Sequence, residues 1–496
     1  MRSDEPVPAA IRVARSRWRA LACVAFLALA GGAHAVVLAD VQALVDAGHF
    51  KAADAAISEA LAKKQDEPTR DALKFERERM HRIRVDFHND LAAIEQRLRQ
   101  DIPDLRADEL AKWDAAGLLE KMTIDGETWY FDRAATNLFR LSPEALARRK
   151  PGAPPLSEGP LESPHAHHAE VVRDANESGK SSVAARRVHV DYSITVDADA
   201  VPAGKIIRAW LPFPRELPGQ QDDVKLVQSA PGKRVVAPEA TLQRTVYLER
   251  KAEAGKPTEF SISYELTIHA QRHAIDPAKV VATPKDPELA EFLREAPPHI
   301  QFTPALRAYS QKVLGGETDP YRVATKLFDA VDKFPWAGAR EYSTLRNIPD
   351  YVLASGHGDC GQQTLLLITL LRLNGIPARW QSGWVYSDGD YDTMHDWGWL
   401  YLAPYGWMPM DVTFGKLASD DPEVAHFYLG SLDAYRIAFN DAIGTDFVPR
   451  KRYPRSETVD SQRGEVEWDG GNLYFDQWDY AFRWHLLPPH GSARDG

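Results

Sequence analysis

Cysteine is nearly absent: the 496 residues hold only Cys23 and Cys360. Cys23 lies inside an N-terminal apolar run, so a processed chain keeps a single thiol, and a single thiol excludes an internal disulfide. Stability must then come from ordinary packed cores. A basic excess is also missing. The formal net charge of -11 argues against a general nucleic-acid binder, which needs cations to neutralise phosphates. No phosphate loop, dinucleotide fingerprint or zinc-ligand spacing occurs, so no cofactor and no metal is implied. Beyond the N-terminal run, no segment is apolar for long enough to cross a bilayer. What remains is a composition of 44% hydrophobic and 26% charged residues, that of a soluble globular protein, with length for two to four domains.

The first 35 residues read as an export signal. Arg12, Arg15, Arg17 and Arg19 form a positive flank, residues 20–30 are apolar, and Ala33, His34 and Ala35 supply a small-x-small cleavage pattern. The expected location is the periplasm or cell envelope, with no integral membrane segment after cleavage. An uncleaved anchor running on through Val36, Val37 and Leu38, or secretion, is the alternative.

Residues 36–148 read as a helical region with one β-hairpin. Val41, Leu44, Val45, Phe50, Ala53, Ile57 and Leu61 recur at helical steps, broken at Gly48. Asp125 and Gly126 are the expected turn between two short strands. Residues 149–183 are rich in Pro, Gly, Ser and His and read as a linker. Its His165, His167 and His168 could meet a metal, but a flexible tract fixes no fourth ligand. In residues 184–275 the period changes to two. Val188, Val190, Tyr192, Ile194 and Val196 alternate with mostly polar residues, as do Phe260, Ile262, Tyr264, Leu266 and Ile268. Such strands with one apolar face predict an antiparallel β-sandwich. Residues 276–450 return to helices and carry the chemistry. The aromatic tail over 451–496 is expected to pack on the body.

Cys360 is flanked by Gly358 and Gly361 and followed by a segment, residues 364–373, that is apolar nearly all round. That segment predicts a buried helix with the thiol at its N-terminus. There the macrodipole and unpaired N–H groups favour a thiolate and can receive an oxyanion. His395 opens an aromatic strand and Asp411 closes the returning one, across a turn near Pro404 and Tyr405. Antiparallel pairing makes the two side chains cross-strand neighbours, close enough for a carboxylate to hold an imidazole. A thiol, a histidine and a carboxylate in that order are the parts of a cysteine nucleophile with its base and orienter.

These residues resemble the transglutaminase-like superfamily of papain-related folds. The resemblance rests on Gly358, Asp359, Cys360 and Gly361, on residues 370–379, on His395 and Trp397, and on residues 406–413. It covers residues 321–415. It implies an α+β protein: a papain-like transglutaminase core preceded by the sandwich and the N-terminal helices. It also implies Cys360 as nucleophile, His395 as base and later acid, and Asp411 as the residue that orients His395. Asp396 stands where the family usually carries a small residue. Strand alternation is expected to turn it to the face opposite His395, away from the triad. Trp336 and Tyr342 are candidates for the upstream oxyanion donor, while His357 and Trp397 are candidate cleft residues. The expected activity is thioester formation from a carboxamide or peptide bond of a protein or peptide substrate. Water resolves the thioester in a protease or amidase, an amine in a transglutaminase. The other class is a non-catalytic envelope scaffold or binding protein that keeps the fold. Nothing in the sequence fixes the oligomeric state.

Overall fold

The computed structural model describes residues 38–156 and 159–488, so the expected export signal lies outside the described residues. Among the described residues no helix is long and apolar enough to cross a membrane. Helices alternate with antiparallel sheets, an α+β architecture.

The two period-two segments become the long strands Ser182–Val196 and Thr258–Arg272. They pair antiparallel with Val188 opposite Leu266 and Ile194 opposite Phe260. Their apolar residues therefore share one face, and all ten are buried. A second sheet packs on that face, with Ile206–Pro212 and Thr245–Lys251 at its centre. Both sheets are completed from the C-terminal tail. Trp478–Leu487 pairs with Ser182–Val196, placing Trp484 opposite Val190, and Glu465–Trp468 pairs with Ile206–Pro212.

The helix Cys360–Leu373, hereafter the cysteine helix, is buried on every side along most of its length. Asp359 caps its start, accepting from the Gln362 N–H at 3.0 Å. It packs on a four-stranded antiparallel sheet ordered Gly406–Met410, Asp392–Leu402, Ala378–Tyr386, Arg436–Asn440. Sandwich and cysteine helix share one continuous apolar core, while the N-terminal helices enclose a second. That N-terminal unit includes the hairpin Lys121–Ile124 and Glu127–Phe131, turning at Asp125 and Gly126 with φ of 51° and 93°, as a two-residue turn requires. It docks on the loop before the cysteine. Asn137 and Gly338 exchange two hydrogen bonds, Asp86 accepts from the Glu341 N–H, and Arg79 donates to the Thr344 carbonyl.

The stretch expected as a linker differs in one part: residues Ala166–Ser178 form a helix ended by Gly179 in the left-handed conformation. His167, His168, Val171, Val172 and Ala175 make its buried face, an amphipathic spacing that the surrounding Pro, Gly and Ser content conceals. The histidines there are structural. The Ala434 N–H donates to His167 Nε2 at 3.0 Å, and His168 Nε2 lies 2.9 Å from Tyr428 Oη. Burial pushes His168 down to about 4, so it is neutral at pH 7.

Gln221, fully buried, fastens the sandwich to the edge strand Arg436–Asn440 of the four-stranded sheet. Its Nε2 donates to the Ala438 carbonyl at 2.9 Å and its Oε1 accepts from the Ala438 N–H at 3.0 Å. Gln221→Ala leaves both groups unpaired at a cost of about 1–3 kcal/mol. A lowered midpoint in thermal or urea unfolding is the expected outcome; an unchanged midpoint would show that the two units do not depend on this clamp.

Candidate active site

The sulfur of Cys360 stands at the first turn of the cysteine helix, partly exposed. First-turn N–H groups have no intrahelical partner, and Asp359 occupies that of Gln362. The next residue, Gly361, lets other chains come close. A Cβ there would lie 2.1 Å from Tyr342 Oη and 2.7 Å from Asp396 Oδ2, so any side chain would push both groups off the helix start. Gln363 extends the anchoring: its amide donates to the Phe334 carbonyl at 2.9 Å and accepts from Thr413 Oγ1 at 2.8 Å. The loop before the cysteine and the turn after Asp411 are thereby tied to one helix.

Gly398 faces Met410 and Leu402 faces Gly406 across the expected turn. That register brings His395 Nε2 to 2.7 Å from Asp411 Oδ2. Both side chains are buried, and the imidazole stacks on Phe414 with ring centroids 4.4 Å apart. Asp411 is fixed from every side. Its Oδ1 accepts from the Thr413 and Phe414 N–H groups, each at 3.1 Å, and its Oδ2 accepts from Arg436 Nη1 at 2.9 Å. Burial by itself would raise its pKa, yet His395 and Arg436 hold the carboxyl below its ordinary value. Arg436, 1% exposed, also donates to Asp433, which accepts in turn from Tyr428 Oη at 3.2 Å.

Asp396 overturns an expectation. Alternation does give it the face opposite His395, but that is the face packed on the cysteine helix. The neighbouring position on that face, Gly398, looks toward Ile368 of the same helix, whereas His395 shares its face with Trp397. The Cys360 thiol donates to Asp396 Oδ2 at 3.1 Å. Burial, with the Asp396 and Asp359 carboxylates beside it, pushes the thiol well above its ordinary value. Asp396 is itself raised, by burial and by the Asp460 and Asp359 charges, and burial takes Asp359 up to about 6.

Of the other sequence candidates, Tyr342 is at the site: its hydroxyl donates to Asp359 Oδ1 at 2.8 Å and lies 3.3 Å from Asp396 Oδ2. Trp336 bridges to Gly358 through the backbone, and its ring lies under Arg140 of the N-terminal unit, 4.4 Å from the guanidinium carbon. His357 is buried against Tyr351, and burial lowers its pKa. Trp397 is fully buried, with Nε1 donating to Gln381 and Arg436 over its ring. It offers no surface to a substrate and supports His395 from behind.

Sequence reasoning missed Arg436, Asp433, Asp460 and Gln462. None sits in a motif, and the last two arrive from the tail. Gln462 Nε2 donates to the His395 carbonyl at 2.8 Å and to Asp396 Oδ1 at 2.9 Å, and Asp460 accepts from Ser382 Oγ at 2.5 Å. A cavity of about 990 Å³ lined by Arg215, Arg379, Trp399 and Trp407 includes none of Cys360, His395 and Asp411. Among the described residues no group of three or more His, Cys, Asp or Glu could hold a metal ion.

Residues 307–412 match the transglutaminase-like superfamily. An uncharacterized protein of Haemophilus influenzae is 27% identical over 199 residues, which are 33% of this chain and 53% of that protein. The chain thus spans about half the length of this relative. A candidate cysteine protease from Cytophaga hutchinsonii aligns over 62% of this chain and 91% of its own, at 15% identity and a TM-score of 0.41. A candidate protease from Parabacteroides distasonis aligns over 47% and 67%, at 11% identity and a TM-score of 0.18. The family match runs from the helix Pro304–Leu314 through the cysteine helix and both strands of the His395–Asp411 hairpin. Residues 307–412 of this chain are a transglutaminase-like superfamily domain.

Proposed function

We propose that this chain is a cysteine acyl-transfer enzyme acting on a carboxamide or peptide bond of a protein or peptide. The observation that carries this reading is the His395–Asp411 pair at 2.7 Å, one residue along the strand from the group that touches the Cys360 sulfur. Cys360 attacks the acyl carbon and a thioester forms. The N–H groups at the helix start receive the oxyanion. His395, oriented by Asp411, takes the Cys360 proton as base and gives it to the leaving amine as acid. Neutral His395 then takes a proton from the water or amine that resolves the thioester. For a chain with an export-type N-terminus, water is the favoured acceptor, making the enzyme a peptidase or amidase of the cell envelope.

Intact-protein mass spectrometry during incubation with a glutamine-containing peptide and a primary amine tests this. An acyl adduct on Cys360, lost in Cys360→Ala, is the expected result. Chain scission or deamidation identifies a hydrolase, and an amine adduct a transglutaminase. Absence of any adduct across a peptide library would favour the scaffold reading.

His395→Ala is expected to slow turnover by about 10²–10⁴, the usual contribution of a positioned acid–base group. Asp411→Asn is expected to lower kcat through misorientation of the imidazole while leaving KM near the parent value. Steady-state kinetics on the substrate so found checks both; a kcat unaffected by His395→Ala removes the imidazole from the mechanism.

A further inference from the structure

The cavity of about 990 Å³ lies where the sandwich meets the four-stranded sheet, with walls from both. Strand register sets Arg379 opposite Trp399, on the sheet face turned away from the cysteine helix. The Arg379 guanidinium carbon lies over two indoles, 5.5 Å from the Trp399 ring centre and 4.7 Å from that of Trp407. A cation laid on ring faces in this way keeps its N–H edge free for another partner. Among the described residues Arg379 donates no side-chain hydrogen bond and joins no ion pair, and its Nε is buried without a partner. Arg372, at the same cavity, bonds only to the carbonyls of Ala378, Glu291 and Arg294. Burial lowers the pKa of Arg372 to about 10, and it lowers that of Arg379 as well. Both charges are thus partly removed from water with no anion in contact, which is a costly arrangement.

The carboxylates nearby do not fill that role. Asp441 is held by Arg215 and by Gln381 Nε2, the latter at 2.6 Å. Glu295 accepts from the Phe302 N–H, and Glu291 is exposed at the rim together with Arg294. The walls are fixed in advance. Gln381 Oε1 accepts from Trp399 Nε1 at 2.9 Å and from Gln220 Nε2 at 2.7 Å, which ties the indole to the sandwich. Trp407 and Phe292, both half-buried, meet edge to face with ring centroids 5.1 Å apart. They leave apolar surface beside the guanidinium.

We propose that this cavity is a second binding site, for an organic carboxylate that carries an apolar or aromatic body. The carboxylate accepts from the free edge of Arg379, whose planar fork matches it through two parallel hydrogen bonds. The body rests on Trp407 and Phe292. Pockets for small ligands run to about 300–1,000 Å³ and form preferentially at junctions between folding units. Two sources share this chemistry: a free organic acid, and the C-terminal end of a peptide with an apolar last residue. Inorganic phosphate would meet the charge but leave the ring surfaces bare. The site requires nothing of Cys360, so it stands apart from the acyl-transfer reading.

Isothermal titration calorimetry tests this on the full chain carrying Cys360→Ala, which prevents turnover of a carboxamide at the thiol. The probes are N-acetylphenylalanine, its amide, a pentapeptide of four alanines ending in phenylalanine, and inorganic phosphate. The acid is expected to bind, and the amide about 10- to 100-fold more weakly, the worth of a charge-assisted contact. Arg379→Gln is expected to weaken the acid by the same factor. Leu242→Glu puts a like charge on the cavity wall at a position 39% exposed, where the fold tolerates it, and should also weaken the acid. Equal affinity for pentapeptide and acid identifies a free organic acid. A pentapeptide bound about tenfold more tightly identifies a peptide end. The proposal is overturned if acid and amide bind alike, if no probe binds at millimolar concentration, or if phosphate alone binds. Should Arg379→Gln not fold, Leu242→Glu still decides, because unchanged acid affinity there would put the ligand elsewhere. A chain that never forms an acyl adduct is still expected to bind the acid, so the two readings fail separately.

Discussion

The site is organised by a buried cation. Arg436, on the edge strand of the four-stranded sheet, donates to both Asp411 and Asp433 with 1% of its surface exposed. Removing three charges from water is costly unless each is paired and hydrogen-bonded, and here each is. Asp411 has two backbone donors besides Arg436 and His395, and Asp433 has Tyr428 and the Tyr435 N–H. The guanidinium also lies over the Trp397 and Phe414 rings, the same rings that pack around His395. The position of the imidazole is thus fixed by a charge network that reaches through Tyr428 and His168 to the helix Ala166–Ser178.

Across the strand, the Cys360 thiol has a different environment. Cys360 meets Asp396, Tyr342 and Asp359, an acidic and hydroxylic surrounding. The macrodipole of the cysteine helix favours a thiolate. Burial and two carboxylates oppose it, and for this thiol they win: its pKa is raised. The two halves of the site therefore hold opposite charge arrangements back to back on one strand, separated by the alternation of His395 and Asp396.

That arrangement depends on chain segments far apart in sequence. The tail reaches the site through Asp460 and Gln462 and then continues into both sheets of the sandwich. The N-terminal unit grips the loop that carries Trp336 and Tyr342 through Asn137, Asp86 and Arg79. Sandwich and four-stranded sheet share one core, and Gln221 bonds across the boundary.

Local pattern in the sequence determined the elements. Period-two alternation from Val188 and from Phe260 made two long strands, because a half-buried strand needs one apolar face. The apolar run after Cys360 made a helix buried all round, and Asp359 capped it. The pairing of His395 with Asp411 was also legible, since a hairpin register follows from the place of its turn. Three things were not. The helix Ala166–Ser178 hides in linker-like composition, because two of the five residues on its buried face are histidines whose partners, Ala434 and Tyr428, lie far along the chain. Arg436, Asp460 and Gln462 carry no motif, because a buried charge or amide is defined by its partners and not by its neighbours in sequence. Alternation told which way Asp396 points relative to His395. Only the packing of the sheet on the cysteine helix decided which of those two faces meets the sulfur.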